Sequence, residues 1–498
     1  MTREQQARLT RALKSEYRRA SRGLIAAIGA VVVACSARVP AVEGRTQSTA
    51  SVDPVALAAF VDSFITARMA SERIPGAGFV FVQHGRVSMI RGYGLANAAQ
   101  QRPVVPDSTI WRVGSISKVF TATAVMQLVD RGAVKLDAPV ETYVHRVAVP
   151  RTYPEPVTVR HLLNHTAGFD EVSPGRQAPT RAGLLPLDQF LNGRLVRIRP
   201  PGRTTAYSTY GITLAGEMIE EVSGMTFENF VRRNIWEPLG MRRSGIDVPT
   251  SLQGDVAMGY EIRGDSLVAQ PWEWYHTTPA SSINATIADM GRFVTAHLTP
   301  VGAAAARILS DSTFREMHRH QVTMHPSIPG YALGFNEEFI GGVRVLEHGG
   351  NMAGFSALMV LIPSESAGFF VVHHFEGSRL RDDLKYLLLE RFVPSAKQRH
   401  SVPSTLPPVE KVQPERFAGR YISLSSCFSC QPIRAPGVLT LTANADGTLG
   451  FVGGRWIAVD SLRFVKDNGG GYIVFREDST GAIREVFAGG YWAWQKLQ

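Results

Sequence analysis

Cysteine is nearly absent: the 498 residues hold three, Cys35, Cys427 and Cys430. So few exclude a disulfide-built scaffold and a multi-cysteine zinc module. The sequence also lacks an H-E-x-x-H string, and charged residues make up only 19% of it, with no acidic or basic tail in the body. A net charge of +10 would suit a polyanion, yet the first 34 residues hold seven Arg or Lys against two acids. Half of the excess lies there, and the remainder is too dilute to imply a nucleic-acid partner. What is present is length and 44% hydrophobic content, enough for a large core and two or three domains.

The charge-rich start reads as a targeting segment. Arg3, Arg8, Arg11, Lys14, Arg18, Arg19 and Arg22 precede an apolar run from Leu24 to Ala34. That run is too short to span a bilayer comfortably and fits the hydrophobic region of a signal peptide, so residues 1–34 are read as an export signal. It ends Val32-Val33-Ala34-Cys35, which resembles the lipobox of bacterial lipoproteins. Lipidation of Cys35 would tether the chain to a membrane, in the periplasm or cell envelope. Cleavage near Ala37 or Ala41, or an uncleaved anchor, are the alternatives. Residues 35–51 are small and polar and read as a tether.

The chain is organised around Trp111 to Ala133, WRVGSISKVFTATAVMQLVDRGA. Gly114 and Ser115 end an extended run, and Val119, Ala122, Val125, Met126 and Val129 recur at helical spacing. Ser115 therefore stands at a helix N-terminus with Lys118 one turn on, on the same face. A hydroxyl beside an amine, at a helix end that favours an oxyanion, is a nucleophile with its base. An S-x-x-K string alone is common. Here the following turns are almost purely apolar, and a Lys heading a buried helix is unusual.

Around this stretch, Pro54–Arg73 has helical spacing and GAGFVFVQHGRVSMIRGYG alternates about His84-Gly85, a hairpin. In TVRHLLNHTAGFD, His161 and His165 fall at i and i+4, but no third ligand has suitable spacing. Capping and packing are their expected roles, and no metal or cofactor is expected. The Pro200-Pro201-Gly202 turn precedes Tyr207-Ser208-Thr209, and a helix follows from about Ile212 to Val222. Trp272, Trp274 and Tyr275 either line a cleft or pack a loop. Near the end of this region, VRVLEH and FSALMVLIP read as two strands flanking Gly349-Gly350, with His348 closing the first. A donor beside a glycine-permitted backbone N–H can serve an oxyanion hole.

Ser115-Ile116-Ser117-Lys118, Tyr207-Ser208-Thr209 and His348-Gly349-Gly350, in that order, resemble the three motifs of the serine β-lactamase and penicillin-binding-protein superfamily. The strings HLLNHTAGF, VSG, PLGM and DMGRF resemble its class C β-lactamase-like branch, which includes esterases and D-amino-acid peptidases. The resemblance covers about residues 52–394. It implies an α+β fold, an antiparallel sheet flanked by helices with a helical region beside it. It also implies that Ser115 is acylated, Lys118 accepts its proton and Tyr207 shuttles protons. The oxyanion hole would use the N–H groups of Ser115 and Asn351, with Gly349 and Gly350 beside them. His348 would bind a substrate carboxylate or transfer protons. Two departures bear on the substrate: Thr209 replaces the Asn of Tyr-x-Asn, and His348 replaces the Lys of K-T-G. Both weaken the case for an efficient β-lactamase and favour esterase or peptidase chemistry.

Residues 395–414 are rich in Ser and Pro and read as a linker. From 415 to 498, short alternating runs separated by Gly, Asn and Asp suggest a small antiparallel barrel. Its FAGRY string resembles the start of lipocalin-like C-terminal domains. Cys427 and Cys430 fall inside it, and in an exported chain a local disulfide is the expected state. The reading is an exported serine hydrolase acting on small esters, amides or D-amino-acid peptides of cell-wall type. A β-lactamase, or a non-catalytic envelope lipoprotein that binds wall fragments, are the alternatives. The sequence leaves oligomeric state open.

Overall fold

The computed structural model describes residues 52–246, 248–298, 307–397, 412–430, 438–451, 454–467, 471–489 and 492–497. The export signal, Cys35, the tether and most of the linker lie outside the described residues.

The first helix, α1 (Pro54–Glu72), begins where the Asp53 carboxylate accepts the Val55 N–H and Pro54 presets the first turn. Its Leu57, Val61 and Ile65 lie on one buried stripe. Strands β1 (Gly76–Gln83) and β2 (Arg86–Asn97) follow. They turn through His84 and Gly85, both at positive φ, as the alternation about that pair predicts. With β3 (Arg102–Pro103) they form one side of a seven-stranded antiparallel sheet. The other side comes from late in the chain: β4 (Asn336–Ile340), β5 (Val343–Met352), β6 (Phe355–Ile362) and β7 (Ala367–His374). The order across the sheet is β4-β5-β6-β7-β1-β2-β3.

The join between β7 and β1 is the middle of the core. Phe81 stands opposite Phe369 and Phe79 opposite Val371. These four side chains face α1 and α5 (Leu380–Phe392). The intervening Val80, Val82, Phe370 and Val372 face α4 (Ile287–Ala296) and the helical region. Because both faces are covered, these strands read as continuous apolar runs, each buried Phe or Val contributing roughly 1.5–3 kcal/mol. In the helical region α2 (Ser117–Asp130) is enclosed over most of its length, with α3 (Thr209–Ser223) and the short helix Thr278–Ser281 packed against it. α3 starts three residues earlier than its spacing predicts, because the Ser208 hydroxyl caps it by accepting the Gly211 N–H.

One strand differs from expectation. β5 does not stop at His348 but runs through Gly349, Gly350 and Asn351 to Met352, and the hairpin turns at Gly354 with φ 78°. The glycines at 349 and 350 are extended residues and make no turn. What they provide is space, as the site below makes clear.

The C-terminal region closes on itself. Strands β8 (Gly419–Ser423), β9 (Val438–Ala443), β10 (Leu449–Phe451), β11 (Gly454–Ala458), β12 (Arg463–Lys466), β13 (Tyr472–Glu477), β14 (Ile483–Ala488) and β15 (Trp492–Lys496) form a barrel, each bonded to the next. Tyr421 meets Lys496 where it shuts. Its interior is aromatic: the Phe417 ring packs 5.0 Å from Phe464 and 4.6 Å from Phe475. A separate small apolar cluster joins the barrel to the first region, with Ala206 and Ile328 on one side and Leu424, Val474 and Phe487 on the other. Cys427 and Cys430 are joined as a disulfide in the loop after β8.

Candidate active site

Ser115 sits in a single tight turn, Gly114–Ile116, that leads straight into α2. The Ser117 hydroxyl fixes this turn, donating to the Gly114 carbonyl at 2.6 Å and accepting the Ile283 N–H at 3.0 Å. Lys118 is 1% exposed. Its Nζ donates to Ser115 Oγ at 3.1 Å and to the Ala280 carbonyl at 2.8 Å. Burial, opposed by the Glu171 charge and reinforced by that of Arg176, pushes the amine down to about 7. A Lys that is half deprotonated near neutrality, touching a hydroxyl, can take that hydroxyl's proton.

Tyr207 lies against the same amine. Lys118 Nζ is 4.9 Å from the centre of its ring, and the His165 ring packs 4.6 Å away on another side. His165 also holds the segment, its Nδ1 accepting the Ser208 N–H at 3.1 Å. His161 caps the helix before it, accepting the Thr158 N–H at 3.1 Å. Both imidazoles thus cap and pack, as their spacing without a third ligand predicts.

β5 runs beside the nucleophile turn so closely that only glycine fits. A Cβ on Gly350 would lie 2.0 Å from the Val113 carbonyl oxygen and 3.2 Å from the Ser115 nitrogen. A Cβ on Gly114 would lie 2.9 Å from the Asn351 nitrogen. The backbone nitrogens of Ser115 and Asn351 therefore both lie at this contact, and they are the two groups that an oxyanion hole here would draw on. His348 is buried behind it, with its ring 6.0 Å from that of Tyr207. Its Nδ1 is 2.7 Å from the Gly349 carbonyl, so Nδ1 carries the hydrogen and Nε2 presents a lone pair. Nε2 is buried with no hydrogen-bond partner among the described residues. Burial, with the Lys118 charge, holds the imidazole down to about 3. A neutral imidazole here offers a carboxylate no charge, and one held this far down is a weak proton acceptor near neutrality.

Two groups went unnoticed in the sequence. Arg381 on α5 donates from Nη1 to Gly350 O, Asn351 Oδ1 and Ala357 O, at 3.0, 2.7 and 2.6 Å. Its Nη2 lies 3.5 Å from where a Cβ on Gly349 would stand. Glu171 is buried, and its Oε1 accepts the Thr209 N–H at 2.5 Å and the Tyr210 N–H at 3.3 Å. An Arg on a helix and a Glu in a polar loop carry no spacing that separates them from surface residues. The Trp272, Trp274 and Tyr275 cluster packs on a buried cation, the Arg112 guanidinium lying 4.5 Å over Trp272. Glu273 within it accepts the Tyr275 hydroxyl at 2.9 Å and the Ala353 N–H, just past β5, at 3.4 Å.

The Beta-lactamase family profile matches residues 61–391. The chain is 23% identical over 321 residues to Protein flp of Staphylococcus aureus (strain N315), covering 63% of this chain and 62% of that protein. It is 26% identical over 237 residues to a Beta-lactamase of Escherichia coli (strain K12), covering 48% of this chain and 60% of that one. The chain thus spans less than two thirds of the length of these curated relatives. Among solved structures, SurE superposes with a TM-score of 0.64 at 23% identity, over 89% of this chain and 99% of that one.

Proposed function

The chain belongs to the Beta-lactamase family, and from that premise we propose that it is a serine hydrolase that forms an acyl-enzyme on Ser115. The observation that carries this reading is the buried Lys118 amine, 3.1 Å from Ser115 Oγ. Ser115 Oγ adds to the substrate carbonyl as neutral Lys118 takes its proton. The oxyanion is met by the N–H groups of Ser115 and Asn351. Collapse breaks the ester or amide bond, and the leaving oxygen or nitrogen receives the proton from Lys118 or by way of Tyr207. Water then repeats the sequence on the acyl-enzyme and frees Ser115.

We propose small esters, amides or D-amino-acid peptides as substrates, ahead of β-lactams. Thr209 supports this, since it has no amide to offer a β-lactam side chain. A neutral His348 in place of a permanent cation supports it as well. Export, and anchoring through Cys35, are proposed on the strength of residues 1–35 alone.

Intact-protein mass spectrometry tests the reading, after incubation with a fluorophosphonate and separately with a penicillin, beside Ser115→Ala. One adduct per chain that the substitution abolishes is the expected result. A penicillin adduct that persists would fit the peptidase or esterase reading, and one that turns over within seconds would favour the β-lactamase. No adduct with either reagent would overturn the proposal and leave a binding lipoprotein.

A further inference from the structure

We propose that Glu171 is a positioning residue of this site: its buried carboxylate caps the Tyr207-Ser208-Thr209 segment and supplies the counter-charge for Lys118. The inference rests on the acyl-enzyme reading above.

The geometry comes first. Glu171 follows the short helix and turn that carry His161 and His165, and reaches back to the start of α3. There Oε1 accepts the N–H groups of Thr209 and Tyr210, two donors that the helix itself leaves unpaired. Tyr207 lies two residues upstream, so this cap sets where its phenol stands. Oε2 faces outward to the Arg176 guanidinium at 3.6 Å. Glu171 and Arg176 are, in that order, the groups after burial whose charges act on the Lys118 amine.

The chemistry follows from the substitution at 209. In the motif that this segment resembles, an Asn bonds the Lys. Here Lys118 Nζ bonds Ser115 and the Ala280 carbonyl instead, and a carboxylate fastened to the Thr209 backbone stands in the neighbourhood. Burial pushes the Glu171 carboxyl up, and the charges of Arg176 and Lys118 and the hydrogen bonds it accepts oppose that. As the anion it opposes the loss of the Lys118 proton that burial drives, while Arg176 promotes it. The other groups facing the amine are Ser115, the Tyr207 ring, and the imidazoles of His165 and His348. Burial holds both imidazoles well below their ordinary range. Neither carries charge near neutrality, so Glu171 and Arg176 are left to tune the base.

The test is the pH dependence of the fluorophosphonate labelling rate for the full chain and three variants. Wild-type labelling that depends on Ser115 secures the reading beneath; its absence fails that reading, not this one. Given labelling, Glu171→Gln keeps an oxygen for the two N–H groups and removes the charge. Its acid limb is expected to move to lower pH by about one unit. Glu171→Asp keeps the charge and shortens the reach. Its limb should stay in place while the plateau rate falls severalfold. Arg176→Gln, at a partly exposed side chain, should move the limb the opposite way, to higher pH. A limb that stays fixed in both Glu171→Gln and Arg176→Gln would overturn the proposal, even with rates lowered, because a purely structural cap changes the plateau alone. If Glu171→Gln does not fold, a fixed limb in Arg176→Gln alone overturns it.

Discussion

The seven-stranded sheet and the eight-stranded barrel are both antiparallel, yet they are joined in opposite ways. In the sheet, Phe81 pairs with Phe369, and the whole helical region lies between them in sequence. In the barrel every strand pairs with its successor, and only the closure of Tyr421 on Lys496 is long-range. They also bury different things. The first region encloses Lys118, Glu171, His165 and His348, whereas the buried polar side chains of the barrel, among the described residues, are Ser426 and Thr448. A region assembled from distant segments can bring a turn, a loop and a strand to one point. The barrel, built from neighbours, encloses mostly aromatic and aliphatic side chains among the described residues. The candidate site lies in the first region, and the proposed chemistry with it.

The largest expected effect tests that division from the barrel side. Phe475→Ala removes the ring on which Phe417 packs, and a cavity of that size costs about 3–5 kcal/mol. Calorimetry should show the loss, while the labelling rate at Ser115, measured well below the melting transition, stays within twofold. From the other side, Gly350→Ala forces a methyl against the Val113 carbonyl and the Ser115 turn. Labelling should drop by at least about 100-fold through misplacement of the oxyanion donors. The barrel's own stability should be unmoved. A Gly350→Ala chain that labels at the wild-type rate would mean that β5 does not build the oxyanion hole.

The acid limb of the labelling rate sharpens the same contrast. With Lys118 pushed down to about 7, activity should rise with pH through that value and level off above it, because only the neutral amine accepts the Ser115 proton. A limb centred near 5 would assign the base to some other group.

What the sequence made legible follows the same line. The barrel's alternating runs and turn residues are local signals, and the strands VLTLTA and YIVFRE stand where alternation places them. The Ser115 helix was equally plain, since its apolar turns sit beside its S-x-x-K string. The path of β5 was not. Gly349 and Gly350 look like a turn until the Val113 carbonyl, far away in sequence, is seen to occupy the place of a side chain. Glu171 and Arg381 were hidden for the same reason: their roles come from partners at Thr209, Tyr210 and Asn351 that no periodicity links to them.

The two regions are not independent, and the smallest expected effect lies at their contact. The Asp170 carboxylate accepts the N–H groups of Phe428 and Ser429 in the disulfide loop, both at 2.8 Å. The Arg199 guanidinium lies 4.8 Å over the Phe428 ring. Asp170 immediately precedes Glu171, so a barrel loop holds the residue next to the group that caps Tyr207-Ser208-Thr209. Asp170→Ala leaves two partly buried donors without their acceptor and should cost about 1–2 kcal/mol of stability, with labelling lowered by about three- to tenfold. Replacing both cysteines by serine acts on the same contact from the barrel side. The Cys427–Cys430 bridge closes only a short loop, and short loops restrict the unfolded chain least, so its loss should cost about 1 kcal/mol. The informative quantity is the combination. If the loop acts on the site through Asp170, the double serine variant should lower labelling about twofold in the wild-type background and not at all once Asp170→Ala is present. Effects that simply add would make the contact a structural weld, with the barrel silent in the chemistry.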